Sequence, residues 1–180
     1  ILDGLFEDLE ARERSRIVIN GDPGTGKTVV AIFLMKLLSD IKSMDEAQPV
    51  DSDSVLSEFF APGYQELLTG FRFGLVVPQQ SLRASIKKVF RRTPGLREDM
   101  VLDQFQVGAS TERFDLLIVD ETHRLNQRAN QSSGMRNRQF RDINVKLFGA
   151  DDPRWTQLDW ITAMSDHQIF LMDAAQSVRP

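Results

Sequence analysis

Hydrophobic positions along the chain follow two rhythms. Short, nearly unbroken apolar runs rich in β-branched residues occur at Arg16-Ile17-Val18-Ile19-Asn20, Phe73-Gly74-Leu75-Val76-Val77, Phe114 to Val119 and Gln168-Ile169-Phe170-Leu171-Met172. Met100-Val101-Leu102 is a weaker run of the same kind. Such runs read as strands buried on both faces, the mark of a parallel sheet covered by helices. Between them the spacing is helical. Leu2, Leu5, Phe6 and Leu9 form one stripe, and Val29 to Leu38 is apolar on almost every side, as in a helix packed on a sheet. Over 81–92, Leu82, Ile86, Val89 and Phe90 share one face, opposite Arg83, Lys87, Lys88, Arg91 and Arg92. A further helix is predicted from Pro153 to about Met164. Residues 55–69 suggest helical material interrupted at Pro62-Gly63. Strands alternating with helices predict an α/β three-layer sandwich with a mainly parallel central sheet.

Composition narrows this picture only a little. The 180 residues suit one domain, 1–180, with 1–15 as a leading helix; 41% hydrophobic and 27% charged residues are ordinary for a globular chain. No apolar run approaches the roughly 20 residues that cross a bilayer, and no signal peptide is visible, so a cytoplasmic setting without a membrane partner is expected. The chain has no cysteine, which excludes disulfides and thiolate metal sites. It begins at Ile1 and stops at Pro180, and is expected to be a piece of a longer protein.

Charge is more informative in its distribution than in its sum of −4. Residues 40–58 are acidic and serine-rich and read as an exposed loop. Residues 81–97 carry six basic residues and no acid, and residues 122–141 carry five arginines and no acid. The second stretch, rich in Asn, Gln and Ser, reads as a mobile or partner-ordered loop with some helix. Either stretch could meet phosphates; a solvated helix face and a neighbouring domain are the competing explanations.

One motif carries specific chemistry. Gly21-Asp22-Pro23-Gly24-Thr25-Gly26-Lys27-Thr28, followed by Val29, reads G-x-x-x-x-G-K-T between a predicted strand and a predicted helix. The glycines let the backbone turn its N–H groups toward a polyphosphate, and the helix start adds unpaired donors and a positive dipole end. Lys27 can reach the outer phosphates, and Thr28 offers a hydroxyl to Mg²⁺. A second motif ends the strand at 114–119: Asp120 is placed to hold Mg²⁺ and Glu121 to deprotonate an attacking water. Ligands of open α/β sheets sit at that end of the strands. His123 could couple this site to a neighbouring element or simply be a half-buried side chain. Gln176, beyond the last strand, could report a terminal phosphate.

The succession G-D-P-G-T-G-K-T, V-P-Q-Q-S-L-R, L-I-V-D-E-T-H and D-A-A-Q-S-V, spanning about 14 to 180, resembles the first RecA-like lobe of superfamily-one helicases. More narrowly it is similar to a helicase-like family related to the ATPase region of Schlafen proteins. The resemblance implies a RecA-like P-loop NTPase fold, ATP and Mg²⁺ as ligands, and single-stranded DNA or RNA as partner. It implies that Lys27, Glu121 and Gln176 act on the triphosphate, that Thr28 and Asp120 hold Mg²⁺, and that Pro78, Gln79, Ser81 and Arg83 touch the strand. It also implies that the strand at 168–172 lies between those at 16–20 and 115–119. A second lobe supplying arginine fingers would lie beyond Pro180, so this piece alone should turn over slowly. ATP rather than GTP is implied by the resemblance and by the lack of an Asn-Lys-x-Asp signature. The alternatives to a helicase or translocase lobe are a nucleotide-gated switch in defence or signalling, and a scaffold that binds nucleotide without turnover. Glu121 argues against the last.

Overall fold

The structure, a computed structural model, describes residues 1–44, 56–127 and 134–173. The centre of the acidic loop, part of the Arg-rich stretch, and the segment carrying Gln176 lie outside the described residues. Among the described residues, seven helices and five strands alternate: α1 (Leu2–Ala11), β1 (Arg16–Gly21), α2 (Lys27–Lys42), α3 (Pro62–Leu67), β2 (Phe73–Val76), α4 (Gln80–Arg92), β3 (Val101–Leu102), α5 (Gln104–Ala109), β4 (Phe114–Val119), α6 (Gly134–Phe148), α7 (Gln157–Met164) and β5 (Ser165–Asp173).

The sheet is parallel throughout, in the order β1-β5-β4-β2-β3. β5 sits between β1 and β4, with Ile169 opposite both Ile17 and Ile118, as the family resemblance implied. Successive side chains on a strand face opposite ways, and two cores result. Leu75, Leu116, Ile118, Ile169 and Leu171 meet α1 through α4 on one face, while Val76, Leu117, Val119 and Phe170 meet α5 and α7 on the other. Phe105, Phe140, Ile143 and Trp160 pack α5, α6 and α7 together, and the Trp160 indole donates to Asn144 Oδ1 at 2.7 Å. This is the three-layer arrangement of a RecA-like sandwich. No helix among the described residues is long and apolar enough to cross a membrane.

Several elements differ from the sequence reading. β1 is an edge strand whose residues alternate between exposed and half-buried, with Val18 52% exposed. Its β-branched run packs Ile17 and Ile19 against the core, but the opposite face of the strand has no helix over it among the described residues. α2 likewise leaves Val29 (69%) and Phe33 uncovered. α5 was not anticipated, although Asp103 and Gln106 form a capping box that announces it: the Asp103 carboxylate accepts from the Gln106 amide and the Gln106 side chain accepts from the Asp103 amide, both at 2.8 Å. α7 begins not at Pro153 but at Gln157, where Thr156 and Asp159 form a second capping box. Within the stretch read as a loop with some helix, residues 134–141 are helical and α6 runs on to Phe148, with Phe140, Ile143 and Asn144 buried.

Candidate functional site

All five strands end at the same edge of the sheet, and the ends of β1, β2, β4 and β5 with the turns beyond them line one cleft of about 370 Å³. The turn after β1 contributes Pro23, Gly24, Gly26, Lys27 and Thr28; the turn after β2 contributes Gln79; the turn after β4 contributes Glu121 and Arg124; and β5 ends in Asp173.

The first turn is shaped by backbone conformation. Gly24 and Gly26 have φ of 77° and 86°, the left-handed region that a side chain disfavours, and an added Cβ at either would meet nothing within 4 Å. Their requirement is therefore conformational rather than steric. Gly26 is the N-cap of α2 and its carbonyl accepts from the Val30 amide at 3.0 Å, so the first donors of the helix face the cleft. Asp22 closes the turn through its carbonyl, which accepts from the Thr25 hydroxyl at 2.9 Å. The Lys27 ammonium donates to the carbonyls of Gly21 at 2.8 Å and Asp22 at 2.7 Å. Val29, one residue further on, points away and does not line the cleft.

Two sequence motifs 92 residues apart meet here: the Thr28 hydroxyl donates to the Asp120 carboxylate at 2.6 Å. Asp120 is 1% exposed, and burial pushes its carboxyl above the ordinary range, against the pull of hydrogen bonds from Thr28 and from the Glu121 amide. A buried carboxylate beside a hydroxyl is a hard-oxygen pair that fits Mg²⁺, which keeps most of its waters and needs few protein ligands. Among the described residues, no cluster of three His, Asp or Glu forms an all-protein metal cage.

Glu121 adopts φ 51°, unusual for a residue with a side chain. Its carboxylate accepts from Arg124 Nε at 2.7 Å. His123 Nε2 is 3.3 Å from the same oxygen, but without hydrogen-bond geometry, and neither ring nitrogen has a hydrogen-bond partner.

The segment after β2 divides. Gln79 lines the cleft and also, with Gln80, Ser81 and Ala84, an adjoining shallow groove, where its amide donates to the Ser81 hydroxyl at 3.2 Å. Arg83 turns inward. Its guanidinium donates to the carbonyls of Val77 at 2.7 Å and Pro78 at 3.2 Å and pairs with Asp103 at 3.5 Å, both side chains being about 15% exposed. It joins the start of α4 to the cap of α5.

The structure thus brings Gly21 through Thr28, Asp120, Glu121 and Gln79 to one edge; Gln176 is outside the described residues. Arg124 and Asp173 also reach the cleft and were not singled out from sequence. Asp173 carried the same signal as Asp120, an acid ending an apolar strand. Arg124 carried none, because its role depends on the turn beyond Glu121. Chemically, the cleft offers two cations, the Thr28 hydroxyl and the carboxylates of Glu121 and Asp173, with the Asp120 carboxylate behind Thr28. No curated protein matches the chain. Residues 14–180 match the family model described as Schlafen group 3, DNA/RNA helicase domain.

Proposed function

The chain belongs to the Schlafen group 3 DNA/RNA helicase domain family, which gives it a helicase-like, nucleic-acid-related role in general, and from that premise we propose that it is the lobe that binds and hydrolyses ATP with Mg²⁺. The observation carrying this reading is the 2.6 Å contact between Thr28 and Asp120, which joins the two motifs that a triphosphate and its metal ion require. Backbone donors of residues 24–28 bind the phosphates, and Lys27 exchanges its two loop carbonyls for outer phosphate oxygens. Thr28 and Asp120 would hold Mg²⁺, which would supply positive charge to the terminal phosphate. Glu121 receives the proton of the attacking water. Gln79 and Ser81, next to the cleft, are the residues best placed to meet a single strand of DNA or RNA, with the exposed face of α4 beside them.

The test uses the full-length protein. Lys27→Ala should weaken Mg·ATP binding about ten- to a hundred-fold, the worth of a charge-assisted contact. Glu121→Gln should bind at least as well as the parent while turnover falls about a hundred-fold or more. Single-stranded polynucleotide should stimulate turnover in the parent. Equal affinity in Lys27→Ala and the parent contradicts the site; turnover indifferent to every polynucleotide removes the helicase part and leaves a nucleotide-gated switch.

A further inference from the structure

Arg124 lies outside the two motifs proposed to hold the phosphates, the metal ion and the water, yet it forms part of the cleft wall together with Lys27 and Thr28. Its side chain is 46% exposed, and it donates through Nε to Glu121 at 2.7 Å. That bond holds the one side chain proposed as the base. The turn is built to keep the two together: the Arg124 amide donates to the Glu121 carbonyl at 2.8 Å, and Glu121 is held in its left-handed conformation at φ 51°. Beside them His123 is enclosed, with both ring nitrogens lacking a hydrogen-bond partner and Nε2 only 3.3 Å from the same carboxylate oxygen. A buried polar group without a partner is costly. A small rotation of Glu121 toward the ring would supply one.

We infer that Arg124 is a triphosphate sensor supplied by this lobe itself, which exchanges Glu121 for the terminal phosphate when nucleotide enters. A guanidinium prefers a doubly charged phosphate oxygen cluster to a single carboxylate, because it can engage two oxygens at once. When Arg124 moves to the phosphate, Glu121 loses its ion-pair partner, His123 becomes its neighbour, and the carboxylate is released to face the water. A diphosphate, which is shorter, leaves Arg124 on Glu121. The base is thereby restrained unless a third phosphate is present. This rests on the reading of the cleft as a nucleotide site, but it predicts something that reading alone does not.

The experiment titrates the parent, Arg124→Ala, Arg124→Lys, Glu121→Gln and the Arg124→Ala/Glu121→Gln double variant with Mg²⁺ and either adenylyl imidodiphosphate or ADP. Arg124→Ala should lose about ten-fold in affinity for the triphosphate analogue and keep its affinity for ADP. Arg124→Lys, which retains charge without the fork, should recover part of the loss. Glu121→Gln frees Arg124 and should bind the triphosphate analogue several-fold more tightly than the parent, and that gain should vanish in the double variant. Equal losses for both nucleotides, no loss for either, or a Glu121→Gln gain that survives in the double variant each overturn the exchange while leaving the nucleotide site intact. Failure of the parent to bind either nucleotide overturns the site itself, and the exchange with it.

Discussion

The two ends of the same sheet are built on opposite terms. At the amino edge, side chains close on one another. The Arg72 amide donates to Asp115 at 2.5 Å, its guanidinium donates to the carbonyls of Glu112 and Arg113 at 2.9 and 3.2 Å, and Arg113 reaches Asp166 at 2.8 Å. Ser15 Oγ meets His167 Nδ1 at 2.7 Å, and the Gln168 amide donates to the carbonyl and hydroxyl of Ser165 at 3.1 and 3.0 Å, leaving only its own oxygen unpartnered. At the carboxyl edge, Asp120 is ionisable and buried, Glu121 is conformationally strained, and His123 has neither ring nitrogen bonded. At the amino edge the polar groups are tied to one another, while at the carboxyl edge one is strained and another lacks a partner. The difference teaches where to look for function: not where polar residues are many, but where the fold leaves them poorly satisfied.

The largest effect that would sharpen this contrast comes from Asp120→Asn. Burial raises the Asp120 carboxyl above its ordinary value, so at neutral pH its charge costs the fold stability. The amide removes that charge while still able to bond Thr28 and the Glu121 amide. The variant should lose about ten-fold or more in Mg·ATP affinity and melt at a higher temperature than the parent. A lower melting temperature breaks the comparison, because Asp120 would then serve the fold. Asp115→Ala is the converse at the other edge. It strips the Arg72 amide of its acceptor and should cost about 1–2 kcal/mol in denaturant unfolding, with nucleotide affinity unchanged. A changed affinity would show that the two edges are coupled.

The smallest effect is a pH slope. Burial lowers the His167 value below the 6.5 of an exposed imidazole, although Asp166, Asp8 and Asp115 favour its proton and Arg14 opposes it. The unfolded chain therefore takes up the proton first. Stability is complete above 6.5 and declines as pH falls through that value toward the depressed folded one. Thermal melts between about pH 7.5 and 5.5 should show the decline, and His167→Asn should flatten it. A slope that His167→Asn leaves unaltered assigns it to other groups.

How much of this was legible depended on whether the signal was local. The glycine-rich turn after β1 needs its left-handed glycines close together in sequence, so Gly21 through Thr28 could be read directly. Asp120 and Glu121 could be read from the apolar strand before them. Edge and centre could not be read from runs of apolar residues: β1 and β4 look alike in sequence, yet one is half exposed and the other buried. Pairing partners, which decide this, lie far away in the chain. Arg83 looked like one more cation on a basic helix face, and only the position of Asp103 across the loop turns it inward. α6 was obscured by its arginines; it is held by few apolar contacts and by Arg136, stacked over the Phe105 ring at 4.4 Å. The α5 capping box was a local signal that went unread.

The central place of β5 has a consequence for how the molecule comes into being. The last strand described is the one that joins β1 to β4. As the chain leaves the ribosome, β1 has no strand to pair with, among the described residues, until some 150 further residues have been made. Native pairing at such sequence distance is slow to form and leaves unpaired strands exposed meanwhile. Thr28 follows β1 and Asp120 follows β4, so the two halves of the cleft come to rest side by side across the strand that is made last of the five described.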